Sequence, residues 1–99
     1  MAAYIIAEIE ISDSETYDKY KARTPAVIEQ YGGRFIVRGG KTELLDGDRQ
    51  PERLVVIEFR DPAAARRFYD SPEYQAIIGL RHRASKGRLI LVEGVAPGA

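Results

Sequence analysis

The stretch RLVVIEFR, residues 53–60, most constrains the fold, because as a strand it carries apolar side chains on both faces. Successive side chains of a strand point to opposite faces, so Leu54 and Val56 share one face and Val55 and Ile57 share the other. A sheet with one solvated face alternates more cleanly between apolar and polar residues. The segment therefore predicts a central strand of a sheet that is covered on both sides.

The elements around this strand are predicted from periodicity, caps and turn residues. The N-terminal half begins with a strand over 3–11 that has apolar residues on both faces. A helix follows, with Ser12 as N-cap, Glu15 at N3, a kink or brief break at Pro25 and an end at Gly32-Gly33. A strand over 34–38 then meets a bulge or bend at Gly39-Gly40, continues over 41–45 and reaches a turn at 46–48. The C-terminal half comprises the strand over 53–60, a short helix from Pro62 to about Tyr69, a second helix from Pro72 to about Ser85 that Gly87 stops, and a strand over 88–95.

This β-α-β-β-α-β order predicts an α+β, ferredoxin-like fold, with a four-stranded antiparallel sheet and helices on one face. We expect one domain over residues 1–95 and a flexible tail over 96–99. No predicted element remains to cover the second sheet face. Pairing with an identical subunit, face to face, would cover it, so we predict a homodimer.

Composition narrows the classes of partner. Lysine plus arginine and aspartate plus glutamate are equal, at 15 each, and both signs are scattered along the chain. This pattern argues against nucleic acid, which selects a one-sided basic surface. No apolar run is long enough to span a membrane, and the start lacks a basic region before its apolar residues, so we expect no membrane association and a cytoplasmic location. Without cysteine, thiolate chemistry is excluded.

Four stretches carry a resemblance to a known family. They are SDSETYDKY, YGGRFIVRGG, ERLVVIEFRDPAAARRFYDSPEYQAI and LVEG, which together span almost the whole chain. The chain resembles the bacterial domain-of-unknown-function family 1330, within the dimeric α+β barrel superfamily. The resemblance implies a ferredoxin-like subunit, a homodimer whose sheets form a barrel, and small-molecule clefts between sheet and helices, but no reaction. Phe68 departs from the family pattern, which commonly has tryptophan there. The wider superfamily includes cofactor-independent monooxygenases, isomerases and haem-binding enzymes, a likeness of fold alone.

The segment GLRHRASKGR contains the only histidine of the chain. On a helix, Arg81 falls within the apolar arc below Tyr74, His82 falls at its boundary, and Arg83 faces water. A guanidinium on an apolar face requires a partner, which would be a strand glutamate, an anionic ligand in the cleft, or solvent reached by snorkelling. His82 is assigned either a surface or packing role, or chemistry in a pocket.

Strand glutamates form a second candidate group. Glu8 and Glu58 are predicted on the same sheet face of two neighbouring strands, with Arg38 on the adjacent strand, so the three are expected to meet inside the barrel. A desolvated carboxylate with a raised pKa can act as a general base. The alternative is a structural network in which arginine neutralises the glutamates.

Tyr17, Tyr20 and Tyr31 are spaced as core residues of the first helix, although the hydroxyl of Tyr20, together with that of Tyr74, would also be placed to orient a ligand. The glycine pairs match no phosphate-binding motif, and the stretch DGDRQPE lacks the later acidic ligands of a calcium loop. We predict no metal and no cofactor, with a haem ligand through His82 as the remaining alternative.

Three functions remain open at this point. In the first, the protein is a metal-independent enzyme acting on a small organic acid or aromatic metabolite. Arg81 would then anchor the anion, Tyr20 and Tyr74 would position it, with Arg38 and Glu8 as further binding residues, and Glu58 or His82 would move a proton. In the second, the same pocket only holds a ligand. In the third, the polar network merely stabilises a structural dimer.

Overall fold

A computed structural model describes residues 1–96 and confirms the β-α-β-β-α-β order, with the second helical unit split in two. Most element boundaries lie within one or two residues of those expected from the sequence. The last strand differs more, because it begins directly after the preceding helix. The elements are β1 (Ala3–Ile11), α1 (Ser14–Gln30), β2 (Arg34–Arg38), β3 (Arg53–Phe59), α2 (Pro62–Asp70), α3 (Pro72–Ala84) and β4 (Ser85–Glu93).

The four strands form one antiparallel sheet in the order β2-β3-β1-β4, which confirms the ferredoxin-like fold. In this order β1 and β3 are the central pair, as the sequence predicted. Ile5 lies opposite Ile57 of β3 and Leu91 of β4, and Ala7 lies opposite Val55 and Leu89. The three helices pack on one face of the sheet, called here the helix-side face.

The helix-side face carries the hydrophobic core. Alternate residues of β1 and β3 are buried there against the helices, while the residues between them point to the opposite face. Burial of these side chains is the main favourable contribution to folding. The largest fully buried side chains of the core are Ile28, Phe59, Phe68, Tyr74 and Ile77.

The opposite face of the sheet, called here the outer face, is also apolar at its centre, as predicted. Its apolar side chains are half-buried in the central strands and exposed in the edge strands. Cross-strand pairs such as Ile6 with Val56 and Ile6 with Ile90 make the patch continuous. The patch comprises Tyr4, Ile6, Val37, Leu54, Val56, Ile90 and Val92.

The start of α1 differs from the predicted capping box. Asp13, not Ser12, is the N-cap, and its carboxylate accepts hydrogen bonds from the Thr16 backbone N–H and hydroxyl. The Ser12 hydroxyl instead donates to the carbonyl of Ala84, at the end of α3, at 3.1 Å. Ser12 and Asp13 are both residue types that favour the N-cap position, and the contact of Ser12 with Ala84 leaves the cap to Asp13.

Pro25 does not break α1, which runs as one helix from Ser14 to Gln30. Because proline has no backbone N–H, the carbonyl four residues earlier, that of Lys21, loses its helical donor. Arg38 of β2 supplies a replacement, since its Nη2 donates to the Lys21 carbonyl at 3.1 Å. The defect in the helix is therefore satisfied by a side chain from the sheet.

The β2 region bears out one prediction and corrects another. The chain bends at Gly39, as predicted, but a register shift that was not predicted lies between Phe35 and Val37, within β2. The segment 41–45 forms no strand. Because one extra residue in a strand reverses the alternation beyond it, Arg38 pairs with Val55 and lies on the helix-side face.

Gly87 does not stop α3, which ends at Ala84, but lies inside β4 opposite Ile9. A Cβ at this position would come within 2.0 Å of the Glu8 carbonyl oxygen, so the close approach of β1 and β4 requires glycine. The predicted tail over 96–99 lies largely outside the described residues. Within residues 1–96 there is no helix with the length and hydropathy that crossing a membrane would need.

Candidate functional site

A cavity lies between the helix-side face of the sheet and helices α1 and α3, and we call it the inner cavity. Its enclosed interior is narrow, at about 30 Å³, and the volume reaches about 450 Å³ only when the open solvent at its mouth is included. The walls are apolar and aromatic apart from four cationic side chains and the hydroxyls of four residues. The polar lining residues are Tyr17, Tyr20, Lys21, Thr24, Arg38, Arg53, Tyr74 and Arg81, and the described lining contains no aspartate or glutamate.

Tyr20 and Tyr74, which the sequence identified as candidates, meet at this cavity. Their hydroxyl oxygens are 2.7 Å apart, so one hydroxyl donates to the other, and the rings are edge to face with centroids 6.2 Å apart. Burial raises the pKa of Tyr20 well above its ordinary value, with a further contribution from Tyr74, while the charge of Arg81 opposes the rise. Tyr20 therefore stays protonated and can donate or accept a hydrogen bond, but does not serve as an anionic base.

Arg81 lies on the buried side of α3, as its helical position predicted, and is only 7% exposed. Its Nη2 is 3.2 Å from Nε2 of His82, and its Nε is buried without a hydrogen-bond partner. Among residues 1–96, no carboxylate forms an ion pair with it. The alternative in which a strand glutamate neutralises Arg81 is therefore not found, and a buried guanidinium faces the cavity without its own counter-ion.

Arg53 is a second cation of the cavity, and the sequence reasoning missed it. It opens β3 opposite Ile9, on the helix-side face, with its guanidinium carbon 5.6 Å from the centre of the Tyr17 ring. Its Nε is also buried without a hydrogen-bond partner. The signal was present in the sequence, because Arg53 has the same parity as the core residues Val55 and Ile57.

Arg38 and Lys21 complete the cationic group. The Arg38 guanidinium lies over the Phe35 ring, 4.5 Å from its centre, and donates to the Lys21 carbonyl. Neither an aromatic face nor a carbonyl is a counter-ion, so these contacts do not neutralise the guanidinium. Neither Arg38 nor Lys21 forms an ion pair with a carboxylate of the described chain.

The predicted meeting of Glu8, Glu58 and Arg38 does not occur. Glu8 and Glu58 lie on the outer face, whereas the register shift in β2 turns Arg38 to the helix side. Each glutamate has an arginine partner on its own face. Glu58 accepts from Arg34 at 2.8 Å, and Glu8 contacts Arg88 at 3.1 Å and Arg49 at 3.6 Å.

His82 is exposed and lies outside the lining of the inner cavity. It borders a separate open groove between β4 and α2, where it stands beside Arg81. No acidic side chain lines this groove in the described part of the chain, and Glu58 is on the other side of the sheet. His82 and Glu58 are therefore not brought together. No group of three or more histidine, aspartate or glutamate side chains within residues 1–96 is arranged to hold a metal ion.

The fold and site together define a small ferredoxin-like α+β protein with a cation-lined cavity between its sheet and its helices. The chain belongs to the family described as Domain of unknown function (DUF1330), whose model matches residues 2–95. No curated protein matches the chain at a significant level.

Solved structures share the fold at low identity. One is the RPA0582 protein of unknown function from Rhodopseudomonas palustris, 20% identical, covering 97% of this chain and 84% of that chain with a TM-score of 0.76. Another is SnoaB, a cofactor-independent oxygenase from Streptomyces nogalater, 16% identical, covering 96% and 94% with a TM-score of 0.65. A third is a dabb family protein with a ferredoxin-like fold from Mesorhizobium loti, 15% identical, covering 96% and 98% with a TM-score of 0.59.

Proposed function

We propose that this protein is a cytoplasmic homodimer in which each subunit binds a small organic anion with an aromatic or other apolar part in the inner cavity. The observation that carries the proposal is Arg81, a buried guanidinium without a carboxylate partner in the described chain. A buried charge is costly unless it is paired, so a site that keeps one unpaired is suited to an anion from outside.

The surroundings of Arg81 support the same ligand class. The hydroxyl pair of Tyr20 and Tyr74 offers a donor beside the charge, and the apolar walls suit a flat hydrocarbon part. Arg38 stands at the cavity with its charge uncompensated and would attract the anion. Small-molecule sites commonly combine apolar walls with a few polar groups of this kind.

The proposal is binding without proton transfer by the protein. Glu58 and His82, predicted from the sequence as proton-transfer residues, lie outside the inner cavity. Its described lining has no carboxylate or imidazole, and Tyr20 is held protonated. A general base must lie within hydrogen-bond reach of the proton that it removes. Conversion of a bound acid by the purified protein, lost in Glu58→Gln or His82→Gln, would contradict this part of the proposal.

A thermal-shift screen of benzoate, 4-hydroxybenzoate and small aliphatic acids tests the anion site. A ligand at about 100 times its Kd stabilises the protein by about 2.7 kcal/mol, which raises the Tm by several degrees for a chain of this size. We expect Arg81→Met to abolish the shift. Arg83→Met is the matched control, because it removes the same charge from an exposed position of the same helix. Equal shifts in both variants, or no shift with any acid, would refute the site.

The homodimer is supported by the outer face, which leaves Ile90 and Val92 exposed around half-buried Ile6 and Val56. A second sheet packed on it would bury this patch. Glu8, predicted as a ligand-binding residue, is assigned here to the polar rim of that face with Arg88. Light scattering after size-exclusion chromatography is expected to give twice the mass of the chain. It should give the mass of one chain for Val56→Glu. A monomeric wild type at micromolar concentration would refute the dimer.

A further inference from the structure

Two arginines of the inner cavity share one unusual property. The Nε atoms of both Arg53 and Arg81 are buried without a hydrogen-bond partner, and no other side-chain nitrogen or oxygen atom in residues 1–96 is left in this state. Both residues line the inner cavity, and neither forms an ion pair with a carboxylate of the described chain. Buried polar groups are otherwise almost always paired, so two exceptions in one cavity indicate two places for ligand atoms.

The two guanidiniums stand at different ends of an aromatic wall. Arg53, on β3, is next to the Tyr17 ring, and Arg81, on α3, is close to Tyr20, whose hydroxyl is hydrogen-bonded to that of Tyr74. The Tyr17 and Tyr20 rings, with centroids 5.5 Å apart, stand between these two positions. A ligand lying along the tyrosine wall would therefore pass from one guanidinium to the other.

Gly39 lies close to the Arg53 guanidinium. A Cβ on Gly39 would lie 2.2 Å from Nη1 of Arg53, and the residue has a φ of 70°, which side chains rarely adopt. The backbone N–H of Gly39 is bonded to the Leu54 carbonyl at 2.8 Å. The backbone of the segment after β2 thus fits against the Arg53 guanidinium.

The charge of the cavity also exceeds what one anion would neutralise. Lys21 and Arg38 lie near the Arg53 end, since Arg38 leads directly into Gly39 and bonds to the Lys21 carbonyl. With Arg53 and Arg81 they make four cations, and the described lining has no acidic residue. Carboxylate groups match guanidinium geometry well, because they can accept two parallel hydrogen bonds.

We propose that the ligand is a small dicarboxylic acid with a flat, apolar middle. One carboxylate pairs with Arg81 and accepts from the Tyr20 and Tyr74 hydroxyl pair, and the other pairs with Arg53. The flat middle lies against Tyr17 and Tyr20 in the narrow interior. This inference rests on the proposed anion site and deepens it, because it assigns two acidic groups and the span between them.

Calorimetric titration with benzoate, phthalate, isophthalate and terephthalate tests the proposal. The three diacids have the same charge and differ in the distance between their carboxylates. We expect one diacid to bind at least about tenfold more tightly than benzoate, and the three isomers to differ from one another. Diacids that all bind alike, or no more tightly than benzoate, would overturn the inference and leave the single anion site intact. If none of the four acids binds, the proposed function is overturned as well.

Variants assign the two ends. Arg53→Met is expected to lower the affinity for the best diacid to that for benzoate, without changing benzoate binding itself. Arg81→Met is expected to lower the affinity for both the diacid and benzoate. Arg60→Met, at an exposed position just after β3, is the control and should change neither. Arg53→Lys, which keeps the charge but not the fork of donors, serves if Arg53→Met does not fold, and should give an intermediate affinity. An Arg53 variant that is folded and binds the diacid as wild type does would refute the second anchor.

Discussion

The arginines on the two sides of the sheet differ in whether they have a carboxylate partner. On the outer face Arg34 and Arg88 each lie beside a glutamate of the neighbouring strand, at 2.8 and 3.1 Å. In the inner cavity on the helix side, Arg53 of β3 and Arg81 of α3 have no carboxylate of the described chain within ion-pair distance. The arginines of the outer face are neutralised within one subunit, as the proposed dimer would require, whereas the cations of the inner cavity have no carboxylate partner in the described chain, as the proposed anion site would require.

Val55 and Val56 offer the largest test of this difference, because the same side chain occupies adjacent positions on the two faces. Val55→Ala is expected to lower the free energy of unfolding by about 2 kcal/mol, since Val55 is buried in the core. Val56→Ala is expected to cost less in an isolated subunit. Urea unfolding at several protein concentrations distinguishes the cases, because in a dimer the cost at Val56 should grow with concentration. Equal costs at all concentrations would remove the distinction between the faces.

The hydroxyl pair gives the next largest effect. Tyr20→Phe or Tyr74→Phe leaves the other buried hydroxyl without its partner, and each is expected to cost about 1–2 kcal/mol. The double variant should cost clearly less than the two single changes added together, because no hydroxyl is then left unpaired. Chemical denaturation of the wild type, the two single variants and the double variant completes the double-mutant cycle. Additive costs would mean that the two hydroxyls do not depend on one another.

In the ligand-free protein, removing an arginine from the inner cavity and removing one from the outer face should change the free energy of unfolding in opposite directions. Arg81→Met replaces a buried, unpaired charge by an apolar side chain and is expected to raise the free energy of unfolding by about 1 kcal/mol. Arg34→Met breaks an exposed ion pair with Glu58 and is expected to lower it by less than about 1 kcal/mol. Melting curves of both variants decide the matter, and a large loss of stability in Arg81→Met would make this residue a structural support.

The smallest effect concerns a polar link between α1 and α3 at the protein surface. The Tyr31 hydroxyl donates to Glu73 at 2.7 Å, and this hydrogen bond lowers the pKa of Glu73 and raises that of Tyr31. A carboxyl with a lowered folded-state pKa stabilises the protein above its unfolded-state pKa of about 4.3 and loses that contribution as the pH falls through the folded-state value. Tyr31→Phe should therefore reduce the loss of stability on acidification below about pH 5.

The fold was predictable from local signals, whereas half of the site was not. The two-faced apolar pattern placed β1 and β3 at the centre of the sheet, and helical periodicity placed Arg81 on the buried side of α3. Arg38 was assigned to the wrong face because its side depends on a register shift inside β2, which only strand pairing reveals. Likewise, Ser12 lost the cap to Asp13 through a contact with Ala84, which is distant in sequence.

The missing N–H of Pro25 has a kinetic consequence. It leaves the Lys21 carbonyl to Arg38, and the arginine is thereby held at the cavity by a neutral group, without a carboxylate that would cancel its field. Cations presented in this way speed the diffusional approach of anions, and dissolved salt weakens the effect. The association rate of an acidic ligand should consequently fall as ionic strength rises. A proline in the middle of a helix would in this way influence how often the ligand arrives as well as how firmly it is held.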